Sequence, residues 1–200
     1  MSKPAKKSAP QPPRNATKVP APKVGLLTDT ATLRANARKN IEDGAITSTY
    51  GADKEAVIRL LNDALATEYV CVLRYYRHYF MASGMLADAV KAEFLEHAQQ
   101  EQAHANLLAE RIVQLGGEPD LNPDTLTARS HAEYKVGKDL RDMVKEDLIA
   151  ERIAIDSYRE MINYIGDRDT TTKRILESIL AQEEEHADEF SDLLDGWIGK

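Results

Sequence analysis

The chain has one cysteine, Cys71, in 200 residues. One thiol cannot close an intrachain disulfide, nor supply the Cys-x-x-Cys pairs of a redox dithiol or a zinc ribbon. No apolar run reaches the roughly 18 to 20 residues of a membrane-spanning helix. The basic N-terminus has no apolar segment behind it, so it does not read as a secretory signal. These absences predict a cytoplasmic protein with no membrane partner. Acids are missing from residues 1–28, which carry Lys3, Lys6, Lys7, Arg14, Lys18 and Lys23. The formal net charge is −7, so the rest of the chain holds −13 once those six cations are set aside. A body of that sign repels nucleic acid. The same tail holds six of the eight prolines: Pro4, Pro10, Pro12, Pro13, Pro20 and Pro22. It has too little apolar surface to fold alone and is expected to be disordered.

The remainder has ordinary globular composition and is long enough to bury one full core. A short helix is predicted from about Thr30 to Asp43, stopped by Gly44, with a loop over 45–52. Four long helical patterns follow, over about 53–81, 86–115, 138–165 and 169–198. Gly84 separates the first two. Gly116-Gly117, Pro119 and Pro123 end the second, and Gly166 ends the third. The first and third connections are short, so each joins an antiparallel hairpin. The second, about 22 residues, is long enough to run the length of a bundle. The expected fold is all-α: a four-helix bundle over 53–200 with one long crossover, preceded by a short helix and loop over 29–52 and the tail over 1–28.

Each long helix has an apolar stripe interrupted by one acid near its middle. The stripes are Val57, Leu61, Ala64, Glu68, Val72, Tyr75; then Phe94, Ala98, Glu101, Ala105, Leu108, Ile112; then Leu140, Val144, Leu148, Glu151, Ile155, Tyr158; then Leu176, Leu180, Glu183, His186, Phe190, Leu194. A carboxylate on a core face is costly unless it is paired or metal-bound. Glu101-x-x-His104 and Glu183-x-x-His186 are the same pair written twice, once on the second long helix and once on the fourth. Spacing of i,i+3 puts both members of a pair on one helix face. Tyr75 follows Glu68 by seven residues, and Tyr158 follows Glu151 by seven. This reads as an internal duplication with a pseudo-twofold axis through the site. Four carboxylates and two imidazoles are the ligand set of a di-iron or di-manganese centre in a bundle core. Glu101 and Glu183 are candidates to bridge, with Glu68 and His104 completing one metal and Glu151 and His186 the other. Four carboxylates carry −4, which two Fe²⁺ cancel.

Other residues have plainer readings. His78 reads as a hydrogen-bonded core or surface histidine, with approach to the metal site as the alternative, Cys71 as a small core residue, and His131 as a loop residue. His97 and Glu96 read as a solvated face, or as a guide for iron on an inner surface. Tyr75 and Tyr158 read either as electron or hydrogen-bond donors to a bound oxidant, or as packed tyrosines with satisfied hydroxyls.

Ala66-Thr67-Glu68-Tyr69 through Tyr75 to His78, Glu101-x-x-His104, Asp147-Leu148-x-x-Glu151 and Glu183-x-x-His186 together resemble the ferritin-like superfamily, and within it bacterioferritin, over about residues 53–198. The resemblance implies a ferritin-like four-helix bundle. It implies a ferroxidase centre with Glu68, Glu101, His104, Glu151, Glu183 and His186 as metal ligands and Tyr75 as the catalytic tyrosine beside them. It also implies Fe²⁺ oxidation by O₂ or H₂O₂, with the ferric product stored in a homo-oligomeric shell. Three features depart from bacterioferritin. Gln102 stands where bacterioferritin has its methionine haem ligand, so no haem is expected. The stretch from His186 to Lys200 is too short to hold bacterioferritin's fifth helix as well as the end of the fourth. The basic tail resembles the lysine-rich tails of Dps, the twelve-subunit relatives that coat DNA. A 12-mer is thus expected over a 24-mer, with non-specific DNA a possible partner of residues 1–28. The alternatives are a di-metal peroxidase or catalase-type enzyme, or a DNA-protecting Dps-like protein. One cysteine excludes the four-cysteine module of a rubrerythrin.

Overall fold

A computed structural model describes residues 28–84 and 87–198. All but the last residue of the tail read over 1–28 therefore lies outside the described residues. Among the described residues the regular structure is helical throughout. Helices α1 (Thr30–Asn36), α2 (Lys54–Met81), α3 (Ala87–Gln114), α4 (Pro123–Arg129), α5 (Leu140–Ile165) and α6 (Thr170–Ile198) follow in order. None is long and apolar enough to cross a membrane.

The ends of the long helices have local causes. The Asp53 carboxylate accepts from the Ala56 amide at the start of α2, and Asp139 does the same for Asp142 at α5. Helix α3 stops at Gly116, whose φ of +77° suits a residue without Cβ. The predicted helix over Thr30–Asp43 is shorter than expected. It ends at Asn36, and a separate 3₁₀ turn covers Ile41–Asp43 behind a left-handed Asn40. The sequence reading also missed α4. Pro123, read as a stop, instead opens that helix behind the Asn122 cap, because a missing N–H costs nothing at the first helical position.

Helices α2 and α3 pack as one hairpin and α5 and α6 as the other. Residues 115–139 cross between them along α2. Asn62 holds the Glu118 carbonyl and the Asp120 amide, Thr67 Oγ1 accepts from the His131 amide, and Arg74 reaches the Glu133 carbonyl. The core falls into two apolar clusters. One unites Leu61, Leu65, Leu108, Ile112, Tyr158, Ile165, Leu176 and Ile179. The other unites Cys71, Tyr75, Phe94, Ala98, Val144 and Phe190. Between them, at mid-length on all four helices, lies a polar layer.

Candidate metal centre

The polar layer consists of Glu68 on α2, Glu101 and His104 on α3, Glu151 on α5, and Glu183 and His186 on α6. Each is at most 1% exposed. All six candidates from the sequence therefore meet in one place. They form two overlapping groups: Glu68, Glu101, His104 and Glu183, then Glu101, Glu151, Glu183 and His186. Within each group the donor atoms lie within 4.8 Å of one another, and Glu101 and Glu183 belong to both. The central carboxylates turn one oxygen to each imidazole. His104 Nδ1 lies 3.0 Å from Glu183 Oε1 and 3.3 Å from Glu101 Oε2. His186 Nδ1 lies 3.5 Å from Glu101 Oε1 and 3.6 Å from Glu183 Oε2.

Each imidazole is held from behind by an amide on the facing helix. His104 Nε2 is 2.8 Å from Gln182 Oε1, and His186 Nε2 is 2.6 Å from Gln100 Oε1. An amide oxygen only accepts, so each Nε2 carries a proton, and each Nδ1 faces the carboxylates. A second contact of this kind orients and tunes an imidazole that binds metal. The sequence reading missed both glutamines. The signal was present, since each immediately precedes the glutamate of its Glu-x-x-His pair and so shares the register of the duplication.

Glu68 Oε2, Glu101 Oε1, Glu151 Oε1, both oxygens of Glu183 and His186 Nδ1 are buried and have no hydrogen-bond partner. An unsatisfied buried polar group costs about 1–3 kcal/mol, and more if charged. Six such atoms converging on one spot fit bound cations, and carboxylate-plus-imidazole donors suit iron or manganese.

Protonation without metal follows the same geometry. Burial and the charge of Glu101 push Glu68 well above the usual carboxylate range. Burial and Glu183 push Glu151 up to about 8. Burial opposes charge on His186, but the three carboxylates that face its Nδ1, Glu101, Glu151 and Glu183, outweigh it and push it up to about 12. His104 rises in the same way: burial opposes its charge, and Glu101, Glu183 and Glu68 outweigh it. Glu101 and Glu183 stay below the usual range despite burial, held there by the protonated neighbours packed against them, Glu68, His104 and His186 around Glu101, and His104, His186 and Glu151 around Glu183.

The tyrosines differ from each other. The Tyr158 hydroxyl donates to Glu68 Oε1. The Tyr75 hydroxyl is buried and unpartnered, its ring stacked on Phe190 and edge-on to His97. His78 is a fully buried core histidine between Asp147 and the Lys135 carbonyl, and Asp147 also pairs with buried Arg74 at 2.8 Å. Cys71 is buried, and His131 is exposed. His97 corrects the solvated-face reading: it is 1% exposed and 2.7 Å from Glu189. It lies three residues after Phe94 on the turn that faces the core.

Comparison with known proteins bears on the family and the fold. Bacterioferritin of Rhodobacter capsulatus is 30% identical over 66% of this chain and 78% of its own length. The DNA protection during starvation protein of Pyrococcus furiosus is 32% identical, over 73% of this chain and 80% of its own. Among solved structures, a dodecameric thioferritin described as the bacterioferritin-related protein of Bacteroides fragilis superposes with a TM-score of 0.72. It is 33% identical, over 74% of this chain and 89% of that one. The ferritin-like domain family matches residues 58–197, well over half of the sequence and all four helices that carry the site, and the chain belongs to that family.

Proposed function

We propose that the protein oxidises Fe²⁺ at the buried cluster, with O₂ or H₂O₂ as oxidant, and stores the ferric product within a shell of its own copies. The carrying observation is the pair of overlapping ligand groups that share Glu101 and Glu183. Two cations bound there would share Glu101 and Glu183, with Glu68 and His104 completing the ligands of one and Glu151 and His186 those of the other. Four carboxylates against two Fe²⁺ leave no net charge. Two Fe²⁺ give up two electrons in becoming two Fe³⁺. With H₂O₂ these electrons and two protons make two waters; with O₂ they make one H₂O₂. Tyr158 positions Glu68 through its hydroxyl. Tyr75, whose hydroxyl has no partner, is free to donate a hydrogen bond to the oxidant. Manganese suits the same donors, and Gln102 offers haem iron no thioether.

The dodecameric relative from B. fragilis supports a twelve-subunit shell. Twelve chains of 22.3 kDa give about 270 kDa, whereas a catalase- or peroxidase-type enzyme built on one bundle would be a dimer to hexamer. The acid-free run of residues 1–28 supports non-specific binding to DNA phosphates as a second activity. The primary test is stopped-flow oxidation of two Fe²⁺ per chain. Glu101→Ala and Glu183→Ala each remove a shared ligand and should abolish the fast phase. Wild-type rates in either variant would overturn the assignment.

A further inference from the structure

Beside the centre lies a second group of ligand atoms that the two-metal reading leaves unused. His97 on α3 is buried to 1% exposure, and its ring stacks on His186 with centroids 4.0 Å apart. Its two nitrogens face opposite ways. Nε2 turns outward to Glu189 Oε2, at 2.7 Å, where Glu189 is 44% exposed and half-buried Glu93 completes a trio. The donor atoms of Glu93, His97 and Glu189 lie within 4.8 Å of one another. Nδ1 is buried and has no hydrogen-bond partner at all. His97 also groups with Glu151 and His186, again with donor atoms within 4.8 Å. Ligand atoms thus run unbroken from solvent, through one imidazole, to the inner cluster.

The internal duplication shows that this trio is an addition. In the register that pairs Glu101 with Glu183, Glu93 corresponds to Ile175, His97 to Ile179 and Glu189 to Leu107. Ile179 is fully buried in the other apolar cluster. At the matching positions the other half of the bundle has three aliphatic side chains, buried Ile179, partly buried Ile175 and exposed Leu107, in place of two carboxylates and an imidazole. The polar set is therefore not required by the fold, and a buried imidazole nitrogen without a partner is a cost that the duplicated half avoids.

We propose that Glu93, His97 and Glu189 form a third divalent-cation site, separate from the paired centre, which loads that centre through His97. The outer carboxylates capture a hydrated divalent ion, and the imidazole presents one nitrogen to that ion and the other to the Glu151–His186 side. One imidazole and two carboxylates form a mixed donor set suited to Fe²⁺, Mn²⁺ or Co²⁺. The loading role rests on the inner centre proposed above; the site itself does not.

Co²⁺ tests the proposal without oxidation chemistry. Metal-free full-length protein, Glu189→Gln and Glu93→Gln are compared by equilibrium dialysis, and filling of the inner sites is followed by Co²⁺ absorbance in stopped flow. Both substitutions keep side-chain size at partly or largely exposed positions, so folding is not at stake. Each variant should bind about one ion per chain fewer than wild type and fill its inner sites at least about tenfold more slowly. An equal ion count in all three proteins overturns the site. A lower count with unchanged filling rate overturns the loading role. Absence of the two inner ions from all three proteins, with the difference of one retained, counts against the proposed function and not against this site.

Discussion

Loading the centre with two divalent cations should expel about four protons per chain at pH 7. The count follows from the buried groups. Without metal, His104 and His186 remain imidazolium, Glu68 remains a carboxylic acid, and Glu151, pushed up to about 8, is mostly protonated. Glu101 and Glu183 stay ionised. Two imidazolium charges then cancel two carboxylates. With two divalent ions, four carboxylates and two neutral imidazoles again give zero. Four protons leave as two doubly charged ions enter, and the interior stays neutral in both states. That neutrality is what low-dielectric surroundings favour. The assay is calorimetric titration with Zn²⁺ or Co²⁺ at pH 7 in buffers of different ionisation enthalpy, whose slope counts protons. The logarithm of the overall two-ion binding constant should rise by about four per pH unit near neutrality. It should rise less steeply above about pH 8, where Glu151 ionises unaided. Release of about one proton or fewer would mean that the apoprotein already holds its carboxylates ionised, and would refute the reasoning.

The same shifts fix the sign of the apoprotein's stability. Glu151 has a folded pKa of about 8, above its unfolded value of about 4.3. The stability it contributes is complete below the unfolded value and is lost as pH rises through about 8. The histidines act in the same direction from about pH 6.5 upward. Metal-free protein should therefore melt lower at pH 9 than at pH 6, and divalent metal should remove that fall by taking the protons' place.

Three further outcomes follow. Gln100→Leu or Gln182→Leu removes the acceptor behind one imidazole and should weaken metal binding about 10- to 100-fold, read by competition with a chelator, while the fold by circular dichroism stays unchanged. Asp147→Ala strands buried Arg74 and His78 without their carboxylate and should cost about 3–5 kcal/mol in urea denaturation of the metal-free protein; a loss under about 1 kcal/mol would show that water or the crossover carbonyls replace it. Deleting residues 2–28 should abolish a low-salt gel shift of DNA that full-length protein gives, since a shell multiplies weak tails through effective concentration; equal retardation by both proteins, or by neither, would exclude the tail.

Much of the fold was legible because four long stripes repeat one pattern. Each puts apolar residues at helical spacing around a single acid, and a buried acid on every helix has few uses other than a shared cation. Helix ends were legible where one residue decides them, as Asp53, Gly116 and Gly166 do. Helix α4 was not, because Pro123 has opposite meanings inside a helix and at its first turn, and only the Asn122 cap separates them.

The site divides along the same line. Whatever obeys the duplication can be counted off in the chain: Glu101 with Glu183, His104 with His186, and Gln100 with Gln182 once the register is extended by one residue. What breaks the duplication cannot. Tyr75 and Tyr158 sit seven residues after matching glutamates, yet only Tyr158 reaches a carboxylate, the Glu68 of the other hairpin. The ring of Tyr75 instead meets His97, whose counterpart is Ile179. His97 in turn is fixed by Glu189, 92 residues away on another helix. A histidine flanked by Glu96 and Ala98 carries no local mark of a partner that remote. Helix rotation chooses it, and a turn that includes Phe94, His97 and Ala98 is wide enough to face the core with any of the three. The duplication accounts for a symmetric pair of metal positions. The chemistry that distinguishes one side of the centre from the other lies in the residues that depart from it.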